Sequence, residues 1–266
     1  MILEALIANA AILLGVTLIL WVVAVQIDDA SFIDSFWGFG MALMAFTSWM
    51  QLRAPGPLAT LLMGMAVVWG LRLSIYLFFR WRREGEDKRY ERMLRKDREK
   101  GRFAFAALTK IFLGQAVLLF IVCSPAQYGI LEAATSITIS GLALVGLALY
   151  LLGIVFEWVG DWQLSRFKAD PANEGEVMDK GLWRYTRHPN YFGDACVWWG
   201  IWIAAASAGW WVAAATVVGP LFLTFTLVKW SGAALLEKGM KHSRPGYEDY
   251  KKRTSAFIPM PPSKSG

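Results

Sequence analysis

Residues 181–200 read GLWRYTRHPNYFGDACVWWG and gather Arg184, Tyr185, Arg187, His188, Asn190 and Tyr191 at the head of an apolar run. Pro189 bends the chain and opens a new helix, because its fixed φ suits a first helical turn. Such a turn aims backbone N–H groups and side-chain donors into one space. Arg187 and His188 suit a phosphate or a carboxylate. Asn190 offers an amide both a donor and an acceptor, and the aromatic side chains can cover a flat ring. The plain alternative is an interfacial anchor of Arg, Tyr and Trp, although an anchor does not need His-Pro-Asn at a helix start.

Ionisable residues inside apolar runs mark three further places, since a charge in a bilayer is costly and usually has a function or a partner. Asp34 lies in SFIDSFWGFG (31–40), Arg72 lies one turn before Tyr76, and Glu157 and Asp161 lie four apart on one helical face. Each has a bland reading. Asp34 would cap a helix, Arg72 would join an internal salt bridge, and Glu157 and Asp161 would sit in interfacial water. No Cys/His spacing suggests a metal. The chain has two cysteines, Cys123 and Cys196, expected near opposite membrane faces and unpaired, and two histidines, His188 and His242.

The elements that position these residues are membrane spans. Of 266 residues, 56% are hydrophobic, and the excess falls in long blocks separated by charged loops. A bilayer core needs about 20 apolar residues per helix. Seven blocks meet this, near 5–27, 32–51, 58–80, 103–123, 137–159, 191–208 and 210–228, with no cleavable signal peptide. The expected fold is all-α: a polytopic integral membrane protein of seven transmembrane helices with short cytoplasmic loop helices, forming one domain over 1–266, without an internal repeat.

Lys and Arg set the orientation. Eleven lie between Arg80 and Arg102, five between Gly160 and Asn190, and seven after Glu237, whereas the intervening loops are nearly neutral. Seven crossings require that alternation, with the C-terminus cytoplasmic. The net charge of +6 then belongs to loops beside anionic lipid rather than to a nucleic-acid surface. The segment 81–103 reads as a solvated loop or as an amphipathic surface helix with Glu86, Tyr90 and Met93 on one face. Arg80, Arg82 or Arg83 would be available there to an anion. The run SAFIPMPP (255–262) reads as an ordered, non-helical tail.

At RHPNYFG followed by WWG the chain resembles the steroid 5α-reductase C-terminal-like family of membrane enzymes, and its bacterial members most of all. The resemblance also covers SFIDSFWGFG, DWQLSRFKADPANEGEVMDKGLWRYTRHPNYFG and SGAALLEKGMKHSRPGYEDYKKRTSAFIP, and so most of the chain. Isoprenylcysteine and phospholipid methyltransferases carry a similar RHPxYxG turn and bind S-adenosylmethionine with it. They supply the alternative function.

The resemblance implies a seven-helix enzyme that uses NADPH to reduce a carbon–carbon double bond conjugated to a ketone, in a lipophilic substrate of the 3-oxo-Δ4-steroid class. It implies a bacterial inner-membrane location, membrane lipid as a partner, and a monomer. Arg72, Arg80 and Arg83 match a cluster that holds the dinucleotide. Asp161 matches an acidic cofactor contact, Lys168 stands for a basic residue near the phosphates, and Asn190 matches the asparagine of the turn, beside Arg187, His188 and Tyr191. No GxGxxG follows a strand, so a Rossmann domain is not the binder. The family's Glu–Tyr pair at the ketone falls on Ser35 and Trp69 in a gapless comparison. Asp34, protonated by burial, or Tyr76 would then be the acid.

Overall fold

The computed structural model describes residues 2–230, 237 and 246–263. Among them there is no strand, only an isolated bridge between Thr186 and Ser255. The helices are α1 (Ile2–Ile27), α2 (Ile33–Met50), α3 (Pro57–Glu84), α4 (Lys88–Glu99), α5 (Phe103–Val122), α6 (Ser124–Glu132), α7 (Gly141–Ala169), α8 (Pro189–Ala206), α9 (Trp210–Lys229) and α10 (Tyr247–Arg253). Five of them, α1, α3, α5, α7 and α9, are long and apolar enough to cross a membrane. The sequence expectation was seven. The other two blocks form α2 and α8, each of 18 residues. Gly and Trp, which are less apolar than Leu or Ile, dilute both.

The chain divides into two compact units. Unit one holds residues 1–143 and 204–219, and unit two holds 144–203 and 220–266. In unit one, α1 buries a narrow stripe of Ala5, Asn9, Leu13, Thr17 and Ala24. Most of its large side chains point outward, Leu3 being 70% and Ile19 64% exposed. A helix apolar all round with small or polar residues turned inward suits a lipid-facing position. Asn9 is satisfied within this unit. Its amide donates to Ser48 Oγ at 2.7 Å and Gln127 Oε1 at 2.9 Å, and its oxygen accepts from Thr47 and Gln51. Helices α2 and α3 meet backbone to backbone, and a Cβ on Gly38 would lie 2.2 Å from the Gly70 carbonyl oxygen.

Helix α4 begins at Asp87, whose carboxylate accepts from the Arg89 N–H, and follows Gly85 with φ 75°. It turns Tyr90 and Leu94 inward, while Met93 is exposed and Glu86 precedes the helix. The shared face expected for Glu86, Tyr90 and Met93 is therefore not formed. Helix α5 contains a π turn at Leu108–Phe112, which carries Lys110 to Asp97.

In unit two, α7 and α8 pack through glycines seven residues apart. A Cβ on Gly153 would lie 2.5 Å from Gly193 O, and one on Gly200 would lie 2.6 Å from Gly146 O. At the next step Gly160 lies against Pro189 and Asn190. The seam brings the head of α8 onto α7. Helix α7 runs past the span end expected at 159, so Glu157 and Asp161 lie inside the helix, 2% and 4% exposed, rather than in interfacial water. The tail is ordered and extended as the sequence implied. Thr186 Oγ1 donates to Phe257 O at 2.8 Å, and Met260 N donates to Tyr185 O at 3.0 Å.

Candidate functional site

Unit one assembles a polar cluster around Asp34, in the first turn of α2. The N-cap is Phe32, so Asp34 is not the cap. Its Oδ2 accepts from Arg89 Nη2 at 2.9 Å, and its Oδ1 accepts from the Tyr90 hydroxyl at 2.5 Å. Both partners come from the start of α4, so the Asp87 cap decides where they point. The Arg89 guanidinium also grips Asp87, with Nη2 at 2.8 Å and Nε at 3.0 Å from its carboxylate. Burial opposes the charge on Asp87, but hydrogen bonds from Arg89 outweigh it and hold that carboxyl below its usual range, with Arg80 contributing.

The phenol is held on its far side too. Gln115 on α5 donates to the Tyr90 oxygen at 3.2 Å, and Trp37 Nε1 donates to Gln115 Oε1. Burial, together with the Asp34 carboxylate, pushes the Tyr90 phenol well above its ordinary range. Tyr90 is therefore a protonated donor at neutral pH. Both Asp34 oxygens accept hydrogen bonds, so the Tyr90 phenol joins Asp34 as a candidate donor at this site.

An apolar cavity of about 460 Å³ lies between α1, α2 and α3, lined by Leu20, Phe32, Phe36, Leu71, Phe78 and their neighbours. Its hydroxyls are occupied. Ser35 Oγ donates to Phe32 O at 2.6 Å, and Ser74 Oγ accepts from Phe39 N at 2.6 Å. Ser35 thus lines the cavity, as its neighbour Asp34 binds α4. Trp69 is fully buried on α3, and Tyr76, one turn beyond Arg72, packs against it with the guanidinium 5.1 Å from the ring centroid. Arg80 is half-buried and Arg83 exposed at the end of α3, the latter 3.3 Å from Glu84.

Unit two holds the second cluster, on the 181–191 turn. Arg187, 8% exposed, donates from Nε to Glu237 Oε1 at 2.9 Å and from Nη1 to Thr254 O at 2.6 Å and Lys251 O at 3.1 Å. His188 Nε2 meets the same Glu237 oxygen at 3.1 Å, and its ring stacks on Tyr191 at 5.4 Å. Burial opposes the Glu237 charge, but hydrogen bonds from His188 and Arg187 outweigh it and hold the carboxyl at about 2. The turn therefore binds a carboxylate, as its residue types imply, and that carboxylate belongs to the chain itself. Asn190 Nδ2 donates to Asp161 Oδ1 at 3.0 Å, and its oxygen accepts from Tyr191 N. Lys168 is exposed near the end of α7. His242 lies outside the described residues.

Within unit two the structure joins Asp161 to Asn190 and Arg187 to His188. The sequence reading missed Arg89 as a ligand of Asp34, Tyr90 as its phenol, Gln115, Trp37 and Glu237. Asp87 two residues before Arg89 was a readable cap signal. Nothing in sequence links Tyr90 to a residue 56 positions away.

Residues 20–254 match the family model described as "Protein of unknown function (DUF1295)". A 3-oxo-5-alpha-steroid 4-dehydrogenase 1 from Mus musculus is 29% identical over 120 residues, which cover 44% of this chain and 42% of that protein. The protein of the same name from Rattus norvegicus is 29% identical over 120 residues, covering 44% and 41%. The match therefore spans about two fifths of these relatives' length. No solved structure gives a significant match. These relatives lend no support to the methyltransferase alternative. The chain belongs to the DUF1295 family, a steroid 5α-reductase-like family.

Proposed function

We propose that the chain reduces a carbon–carbon double bond conjugated to a ketone in a lipophilic substrate of the 3-oxo-Δ4-steroid class, with NADPH as reductant. The observation that carries this reading is the Asp34–Tyr90 pair, a carboxylate and a phenol 2.5 Å apart on a helix that also lines an apolar cavity. A cavity of this size is within the range that takes one drug-sized ligand.

The acid half of the reaction falls to this chain's own residues. The Tyr90 hydroxyl, a protonated donor, turns from Asp34 to a ketone oxygen and stabilises the charge that develops there. Asp34 orients the phenol, Arg89 fixes Asp34, and Gln115 holds the phenol oxygen from behind. Asp34 itself or Tyr76 remains the alternative donor. The chemistry a bound NADPH supplies is the hydride for the β-carbon. The donor set suits its anionic groups within each unit: Arg72, Arg80 and Arg83 along α3 in unit one, and Lys168 with the Asn190 amide in unit two. Arg187 and His188 are occupied by Glu237 and serve the turn's shape.

The membrane setting completes the proposal. We take α2 and α8 as the sixth and seventh crossings of a bacterial inner-membrane protein, a monomer with a cytoplasmic C-terminus. Tags at the C-terminus and in 124–136 should report opposite sides, and finding both on one side sinks the seven-span reading.

The reaction is tested with purified protein, NADPH and a 3-oxo-Δ4-steroid probe, following nicotinamide absorbance and product mass. Asp34→Ala should abolish turnover while leaving NADPH binding intact. Asn190→Ala should weaken NADPH binding by about 1.5–3 kcal/mol, the range for one hydrogen bond to a charged group. Full turnover in Asp34→Ala removes the pair from the mechanism.

A further inference from the structure

We propose that the outward face of α4 is a docking surface for the anionic headgroups of the membrane leaflet. The helix is amphipathic in an unusual sense, because both of its faces are charged. On the inner stripe the charges are paired within unit one. Asp97 accepts from Lys110 at 2.6 Å, and Arg98 meets Glu86 at 2.7 Å and Asp28 at 3.2 Å. On the outer stripe Lys88, Arg92, Arg95 and Lys96 are all exposed. Among the described residues these four have no acidic partner at ion-pair distance. Glu91 and Glu99 also face outward but are outnumbered, and the exposed Arg82 extends the basic face beyond the start of the helix.

The place of α4 in the chain selects the occupant. It starts four residues after α3 ends and stops four before α5 begins, and both neighbours are long and apolar enough to span. A 12-residue helix tethered so closely at both ends stays at the bilayer face. Its cations spread along the helix rather than converging on a point. That arrangement fits a sheet of headgroups, which attracts juxtamembrane basic residues within a Debye length, better than one soluble anion. The exposed Met93 beside them suits the acyl boundary. Arg89 and Tyr90 lie on the same short helix, so leaflet charge also bears on how firmly the phenol is held over Asp34. The inference rests on the membrane reading of α3 and α5 and not on the reductase reading.

Amide exchange of the full chain in nanodiscs tests it. In discs containing phosphatidylglycerol, exchange across residues 88–99 should slow by about tenfold or more relative to phosphatidylcholine discs, given four basic residues at the surface. The combined Lys88→Gln, Arg92→Gln, Arg95→Gln and Lys96→Gln variant should lose that difference. The combined Lys251→Gln and Lys252→Gln variant, exposed cations on α10, should keep it. Equal exchange of the wild-type helix in the two discs overturns the proposal without any variant. So does a tail variant that loses the difference as fully, which would make it a general charge effect. Inorganic pyrophosphate producing the same slowing in phosphatidylcholine discs would assign the face to a soluble anion instead.

Discussion

Asp34 and Arg187 are each at the centre of an arginine–carboxylate cluster, and the two are used in opposite ways. Arg187 is enclosed, with a carboxylate on one side and two tail carbonyls on the other. The Asp34 cluster is more open, with side-chain exposures of 23% and 35% for Asp34 and Arg89, and it contains a phenol that can change partners. The first arrangement suits a clamp and the second an acid. The most recognisable words of the sequence, RHPNY, thus mark the clamp, while the proposed acid arises where α4 folds back on α2.

The sharpest way to break this contrast is to remove one partner from each cluster. Arg187→Ala leaves Glu237 without its guanidinium and two carbonyls without a donor. A broken buried pair costs about 3–5 kcal/mol, so thermal unfolding in detergent should drop steeply. The Arg187→Ala, Glu237→Ala double variant should recover part of the loss, because no stranded carboxylate remains. An Arg187→Ala protein as stable as wild type would remove the clamp.

Tyr90→Phe should act in the opposite sense. Turnover should fall by about 100-fold or more, the usual worth of a positioned acid, whereas stability should change by only about 1 kcal/mol, the net value of one hydrogen bond. If stability collapses and turnover per folded molecule does not change, the two clusters are both structural.

The last effect is a pH dependence of stability in unit two, beside that of Asp87 in unit one. Glu237 is held at about 2 against an ordinary 4.5. Its contribution is therefore complete above pH 4.5 and is lost as pH falls toward 2. Stability measured across that window should decline in the wild type, and Glu237→Gln should flatten the decline while lowering the starting value. An unchanged slope in the variant would mean that another carboxylate controls acid unfolding.

Much of the helical framework was legible because its causes are local. Pro189 opens α8, the apolar blocks form long helices, and the proline-ended tail stays extended. The number of spans was less legible, because α2 and α8 dilute their apolar residues with Gly and Trp. Asp34 stood out as a charge in an apolar segment, but its partners did not, since capping and periodicity carry no record of which surface a short helix will cover. The carboxylate bound by Arg187 was predictable as a type but not as Glu237, which lies 50 positions downstream.

The strap formed by residues 251–260 has a consequence for biogenesis. Arg187 and Thr186 are synthesised some seventy residues before the carbonyls they bind, and translation proceeds at about 5–20 residues per second. For several seconds the nascent chain carries the RHPNY turn with its donors open. A message truncated after α9 would yield a protein whose spans can insert but whose turn never closes. Such a chain keeps the Thr186 and Arg187 donors without the Phe257 and Thr254 carbonyls that close the turn.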